Sequence, residues 1–180
     1  MKLLKILPLC ILIFLISCKE DKPAENTNGN PDISTFYLIR HAEKDRSDPE
    51  DADPELNQKG LGRAMHWAEI LNEIDLDAIY STNFNRTSMT AAPTSVKKNI
   101  DVQYYDPRVL DIDQFKKDNL NKDVLVVGHS NTTPQFVNLL LGEEKYTQID
   151  DNENGTLFVV TIVNGIVTSN RLVFNCNCPD

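Results

Sequence analysis

The chain contains three histidines and six arginines, and one of each stands side by side at Arg40-His41, where the apolar run "TFYLI" stops. A guanidinium fork binds the oxygens of an anion two at a time, and a neutral imidazole offers a lone pair for attack or proton transfer. The same kind of junction recurs twice. "YSTNFNR" carries an apolar segment into Arg86, and "VLVVGH" ends at Gly128-His129. Taken singly, each is ordinarily a surface cation or a hydrogen-bonded histidine. Arg40, His41, Arg86 and His129 brought to one rim would instead make a cationic pocket in an otherwise acidic protein, suited to a phosphoryl group. Gly128 permits close backbone approach or an unusual dihedral. Ser130, Asn131 and Thr132 open a helix whose free N–H groups favour anions. His66 falls mid-helix among core positions and reads as structural. No ligand spacing of the H-E-x-x-H kind accompanies these histidines, which argues against a metal hydrolase.

Delivering those residues together requires strands that end at one edge. Thr35 to Ile39 reads as a first strand. "LNQKGLGRAMHWAEILNEI" follows as a helix, with Leu61, Ala64, Met65, Ala68, Leu71 and Ile74 spaced to face a sheet. "LDAIYST" is a strand, and "FNRTSMTAAPTSVKK" a helix interrupted or bent near Pro93. "VQYYD" is a weaker strand, "DIDQFKKDNL" a short polar helix, and "DVLVVGH" a buried strand of the parallel kind. "SNTTPQFVNLLL" opens with capping residues and a first-turn proline. "GTLFVVTIV", the turn Asn164-Gly165 and "IVTSNRLVF" form a closing hairpin. This alternation implies an α/β fold: a three-layer sandwich with a mostly parallel central sheet, an antiparallel edge hairpin and helices on both faces. In open sheets of this kind, ligands bind outside the carboxyl ends of the strands.

At these residues the chain resembles the histidine phosphatase superfamily, the group that includes phosphoglycerate mutases and phosphohistidine phosphatases. "LIRHAEK", "IYSTNFNRTSMTA" and "VLVVGHSNT" carry the likeness, which runs from about Phe36 to Phe174. The resemblance implies that His41 is a nucleophile forming a phosphohistidine, with Arg40, Arg86 and His129 holding the phosphoryl oxygens. Attack needs a neutral His41 whose other ring nitrogen donates to an acceptor. It implies no cofactor and no metal, since the cationic side chains neutralise the developing charge. Leu56, Gly60 and Ala64 would be architectural, and Thr87 and Thr90 would pack or cap on the Arg86 helix. Glu43 could orient an arginine or form a solvated pair with Lys44.

Two departures narrow the expectation. Ala42 replaces the glycine usual after the first histidine, a small change. More consequential is the general acid: Ser130 stands where acid phosphatases have aspartate, and Asp106, Asp111 and Asp113 match no pattern. A weak or absent acid favours leaving groups that depart readily, such as those of phosphoramidates or anhydrides. Too few residues separate Arg86 from His129 to hold an inserted cap, so the pocket should be open to a phosphorylated small molecule or phosphoprotein. The expected function is hydrolysis of phosphoric monoesters or phosphoramidates; mutase activity is not expected. A catalytically silent, envelope-anchored module binding a phosphorylated or anionic ligand is the alternative.

The ends set the expected location. Residues 1–17 carry Lys2 and Lys5 and an apolar run from Ile6 to Ile16 too short for a comfortable membrane span, so they read as a secretory signal. "LISC" resembles the lipobox of bacterial lipoproteins, with Cys18 as the lipidated residue. A multiply acylated cysteine holds a protein stably on a membrane. Residues 18–33 are a polar tether with a reach of roughly 20 Å, residues 34–175 the phosphatase-like domain, and residues 176–180 a tail. The "KED" after Cys18 is similar to the export tags of surface lipoproteins, so the expected place is the cell envelope, at the periplasmic face or the cell surface. Loss of the two signal lysines takes the formal charge from −9 to −11, which disfavours nucleic acid as a partner. Cys176 and Cys178 could bind metal, form a local disulfide or remain two tail thiols.

Overall fold

A computed structural model describes residues 29–176 and residue 178. The signal segment and Cys18 lie outside the described residues. Among those described, no helix is long and apolar enough to cross a membrane.

Ten elements follow one another: β1 (Ile33–Arg40), α1 (Gln58–Ile70), β2 (Ala78–Thr82), α2 (Asn85–Lys98), β3 (Val102–Tyr105), α3 (Ile112–Asp118), β4 (Asp123–Gly128), α4 (Thr132–Leu141), β5 (Thr156–Val163) and β6 (Ile166–Val173). They build one six-stranded sheet in the order β3-β2-β4-β1-β5-β6. The first four strands in that order run parallel, and β5 and β6 add antiparallel at the edge. This is the expected α/β sandwich.

Why β1 and β4 carry unbroken apolar runs, Phe36 to Ile39 and Val124 to Val127, follows from the two-residue period of a strand covered on both faces. Phe36, Leu38, Val124 and Val126 point to one face, where Phe115 of α3 and Phe136, Val137 and Leu140 of α4 cover them. Ile39, Leu125 and Val127 point to the other, under Trp67 and Leu71 of the α1 segment and Ala91 of α2. Adjacent strands β1 and β4 therefore send their following helices, α1 and α4, to opposite faces. That divergence opens a crevice at their carboxyl ends, the switch point at which such sheets bind ligands.

Register then decides which side chains reach the crevice. Arg40 lies opposite Gly128, Ser81 opposite Val127, and Thr82 opposite Tyr105. Four parallel strands thus end in one row, and the His41 backbone N–H donates to the Gly128 carbonyl at 2.9 Å.

Several local expectations need correction. α1 ends at Ile70, and its inward face is rotated from the expected one: Leu61 and Met65 are 40% and 56% exposed. Ala64, Ala68 and Leu71 are buried as expected, and Gly60, Arg63 and Trp67 take the place of Leu61 and Met65, because the bulky Trp67 takes the core and packs edge-on against Phe174. Ala64 and Leu56 pack with Ala42, and a Cβ at Gly60 would collide with the Glu43 carbonyl. α2 runs through Pro93 without interruption. Ile33 opens β1, and at the turn between β5 and β6 the Asp32 N–H donates to Asn164 Oδ1 while the Asn164 N–H donates to the Asp32 carbonyl. In the tail, Cys176 and Cys178 form a disulfide.

Candidate active site

A cleft of about 890 Å³ opens at the carboxyl ends of β1, β2 and β4, and Arg40, His41, Arg86 and His129 all line it. The structure thus brings together the four residues singled out in the sequence. His66, half-buried on α1, is not among the lining residues.

His41 follows β1 directly and is buried. Its Nδ1 sits 2.7 Å from the Ala42 carbonyl oxygen. A carbonyl only accepts, so Nδ1 carries the proton and Nε2 keeps the lone pair. The loop around it is held from two sides: Asn154 Nδ2 donates to the His41 carbonyl, and Thr90 Oγ1 accepts from the Ala42 N–H while donating to the Arg86 carbonyl. Thr90 therefore couples the His41 loop to α2.

His129 follows β4. Its Nε2 lies 2.9 Å from Thr82 Oγ1, and its Nδ1 lies 3.5 Å from Arg86 Nη2. Its ring packs edge-on against His41, with centroids 5.4 Å apart, and against Phe84 at 5.1 Å. Gly128 before it answers a close approach, since a Cβ there would meet Thr133 Oγ1 at 2.8 Å and Tyr105 Oη at 3.1 Å.

Both imidazoles are held neutral. Burial pushes the pKa of His41 down to about 3, aided by the charges of Arg40, His129 and Arg86 and opposed by the bond to the Ala42 carbonyl. His129 falls to about 4, first through burial and then through Arg86, Arg40 and Lys44. At neutral pH His41 thus presents a lone pair inside a ring of cations.

The two arginines are positioned by partners far away in the chain. Arg40, only 1% exposed, gives Nη1 to the carbonyls of Asp150 and Glu153 and Nη2 to Asp151 Oδ1 at 2.5 Å. Asp151 also pairs with Arg46 at 2.6 Å. The Nε–H of Arg40 is buried with no hydrogen-bond partner among the described residues. An unsatisfied buried donor costs about 1–3 kcal/mol, more when charged. Arg86 stacks over the Phe84 ring at 4.5 Å and donates Nη1 to Asp53 Oδ1 at 3.3 Å. Asp53 also accepts from the Asn85 N–H at the start of α2.

Of the acidic candidates, only Asp106 lines the cleft. Hydrogen bonds from Arg108 hold its carboxyl down at about 2, so it is a carboxylate with no proton to give. Asp111 caps α3, and Asp113 pairs with Lys116 at 3.7 Å. Asp151 also lines the cleft, its carboxyl held low by Arg46 and Arg40. Glu43 does orient an arginine, but a structural one: it grips the guanidinium of Arg63 through Nε and Nη2 at 2.7–3.0 Å. No group of three or more potential metal ligands occurs among the described residues.

Sequence reasoning missed Thr82, Asp53, Asp151 and Asn154. Thr82 lies inside a quoted motif. The other three act across loops, with nothing local to mark them.

Residues 36–113 match the histidine phosphatase superfamily (branch 1). No curated protein sequence matches significantly. Among solved structures, the protein histidine phosphatase SixA complexed with tungstate shares 15% identity at a TM-score of 0.61, covering 77% of this chain and 96% of that one. Phosphoglycerate mutase from Bacillus anthracis str. Sterne shares 16% at 0.60, covering 79% and 93%. The mycobacterial glucosyl-3-phosphoglycerate phosphatase shares 13% at 0.58, covering 81% and 100%. Over residues 36–113 the chain carries the sequence pattern of the histidine phosphatase superfamily, and the α/β fold around that stretch is the one these solved neighbours share.

Proposed function

We propose that the protein is a phosphatase that hydrolyses phosphoric monoesters or phosphoramidates through a phosphohistidine on His41. One observation carries the reading: the neutral His41, its Nδ1–H tied to the Ala42 carbonyl, stands in the same cleft as Arg40, whose buried Nε–H lacks a partner. Nε2 attacks phosphorus, forming the N–P bond as the bond to the leaving group breaks. Arg40 and Arg86 donate to the phosphoryl oxygens, where transition-state charge spreads, and neutral His129, which faces Thr82 through Nε2 and Arg86 through Nδ1, orients the Arg86 guanidinium. The leaving group takes its proton from water, because the carboxyls lining the cleft are ionised. Water then attacks the phosphohistidine, the N–P bond breaks, and phosphate and neutral His41 are released.

SixA, complexed with tungstate, is described as a protein histidine phosphatase, which agrees with an oxyanion site and a phosphoramidate substrate. The experiment is turnover of a generic phosphate ester and of a phosphohistidine peptide by the full chain and by His41→Ala, with trapping of labelled phosphate. Turnover and label are expected only when His41 is present. Equal turnover by His41→Ala overturns the reading, and ligand binding without labelling supports a silent binding module.

We also propose lipid anchoring at Cys18, supported by the "LISC" run after a short charged and apolar leader. Cys18→Ala should release the protein from the membrane fraction. Unchanged fractionation would overturn it.

A further inference from the structure

Two large aromatic side chains stand open at the mouth of the cleft. Phe84 is 40% exposed and Tyr104 is 58% exposed, and both line it. An exposed aromatic within a binding cleft is more informative than one scattered on a surface.

Their positions follow from the backbone. Phe84 precedes α2, with Arg86 over its ring at 4.5 Å and the His129 ring edge-on at 5.1 Å, so it abuts the residues that hold the phosphoryl group. Tyr104, on edge strand β3, brings its hydroxyl to within 3.5 Å of Ser88 Oγ. The Ser88 N–H in turn donates to the Phe84 carbonyl at 3.0 Å. One helical turn therefore separates the anchor of one ring from the other ring, and the two belong to one wall.

A second observation comes from the opposite direction. The carboxyls that line the cleft, Asp106 and Asp151, are both held ionised by arginines, so neither can protonate a leaving group, which favours one that is stable as an anion. A phenol ionises near pH 10, far more readily than an alkyl alcohol, and its ring can stack on aromatic side chains.

We infer that Phe84 and Tyr104 form a leaving-group subsite for a planar ring, and that the substrates are aryl phosphomonoesters. The inference rests on the phosphatase reading of His41. In the first step the bond between phosphorus and the phenolic oxygen breaks as the N–P bond to His41 forms. The phenolate leaves along the Phe84–Tyr104 wall and is protonated by water.

Phenylphosphonate and methylphosphonate carry the same phosphoryl oxygens, cannot be hydrolysed and differ in the ring. Calorimetric titration of the full chain should show phenylphosphonate binding about three- to tenfold tighter. Tyr104→Leu and Phe84→Leu should each erode that preference, and Tyr104→Phe should keep it. Tyr104 is the decisive position, since its exposure makes a folding failure improbable. Equal affinity for the two ligands, or a preference that survives both leucine substitutions, overturns the subsite. A preserved preference with no label on His41 would count against the phosphatase reading alone.

Discussion

The Nε2 of His129 lies 2.9 Å from Thr82 Oγ1, and that hydroxyl donates in turn to Thr87 Oγ1 at 3.1 Å. Thr87 spends its own proton on the carbonyls of Thr82 and Phe84. Thr82 is left with only acceptor capacity towards His129, so the ring proton sits on Nε2 and Nδ1 faces Arg86. A relay of two threonines thereby sets which nitrogen of His129 carries the proton and how its ring is turned.

Thr82→Val removes that acceptor while keeping the shape. We expect kcat/KM to fall by about tenfold, the size of one lost hydrogen bond to a catalytic group, with Thr82→Ser restoring most of it. Steady-state kinetics on a phosphate ester tests this, and an unchanged Thr82→Val would refute the relay.

The pH response follows from the two depressed imidazoles. Folded His41 and His129 protonate only near 3 and 4, against an ordinary 6.5. Activity should therefore hold from neutral pH to about 5, with its acid limb near 4. In the unfolded chain both groups take up protons near 6.5. Between there and about 4 the unfolded state binds more protons, so these groups lower stability as pH falls. Urea midpoints at pH 7 and pH 4.5 should show a smaller acid loss in His129→Gln than in the wild type.

Asp53 holds Arg86 and receives the Asn85 N–H at the start of α2. Asp53→Ala should cost about 1 kcal/mol of stability, as loss of a cap does. On the proposed role of Arg86 in holding phosphate in the ground state, it should also raise KM several-fold with a lesser effect on kcat. A purely structural Asp53 would leave KM unmoved.

The Glu43–Arg63 pair is largely shielded, with side chains 17% and 9% exposed. Removing one member strands the other. Glu43→Ala should destabilise the fold by about 3–5 kcal/mol, read from denaturation midpoints. The neighbouring His41 loop should loosen with it, since the Glu43 carbonyl also accepts from the N–H of Asn57, whose side chain caps α1.

Much of the molecule was legible because its signals are local. Strand β1 is apolar from Phe36 to Ile39 and β4 from Val124 to Val127, which marks burial on both faces, and the Asn164-Gly165 turn announces the hairpin. Arg40-His41, Arg86 and His129 could be picked out because each stops an apolar run at a strand end. Where local signals compete, the reading went astray. Leu61 and Met65 have the spacing of a buried face, yet Trp67 and the Glu43-bound Arg63 turn α1 away from them.

By itself, then, the sequence determined the order of strands and helices and the residues that must arrive at the carboxyl edge, since periodicity and strand ends depend on neighbours in the chain. The tertiary structure alone decided what holds and tunes them. Asp151 reaches Arg40 across 111 positions, and Asn154 reaches His41 across 113. Burial and converging cations set the protonation of both histidines. Such couplings arise only when loops distant in sequence close over the same strand ends.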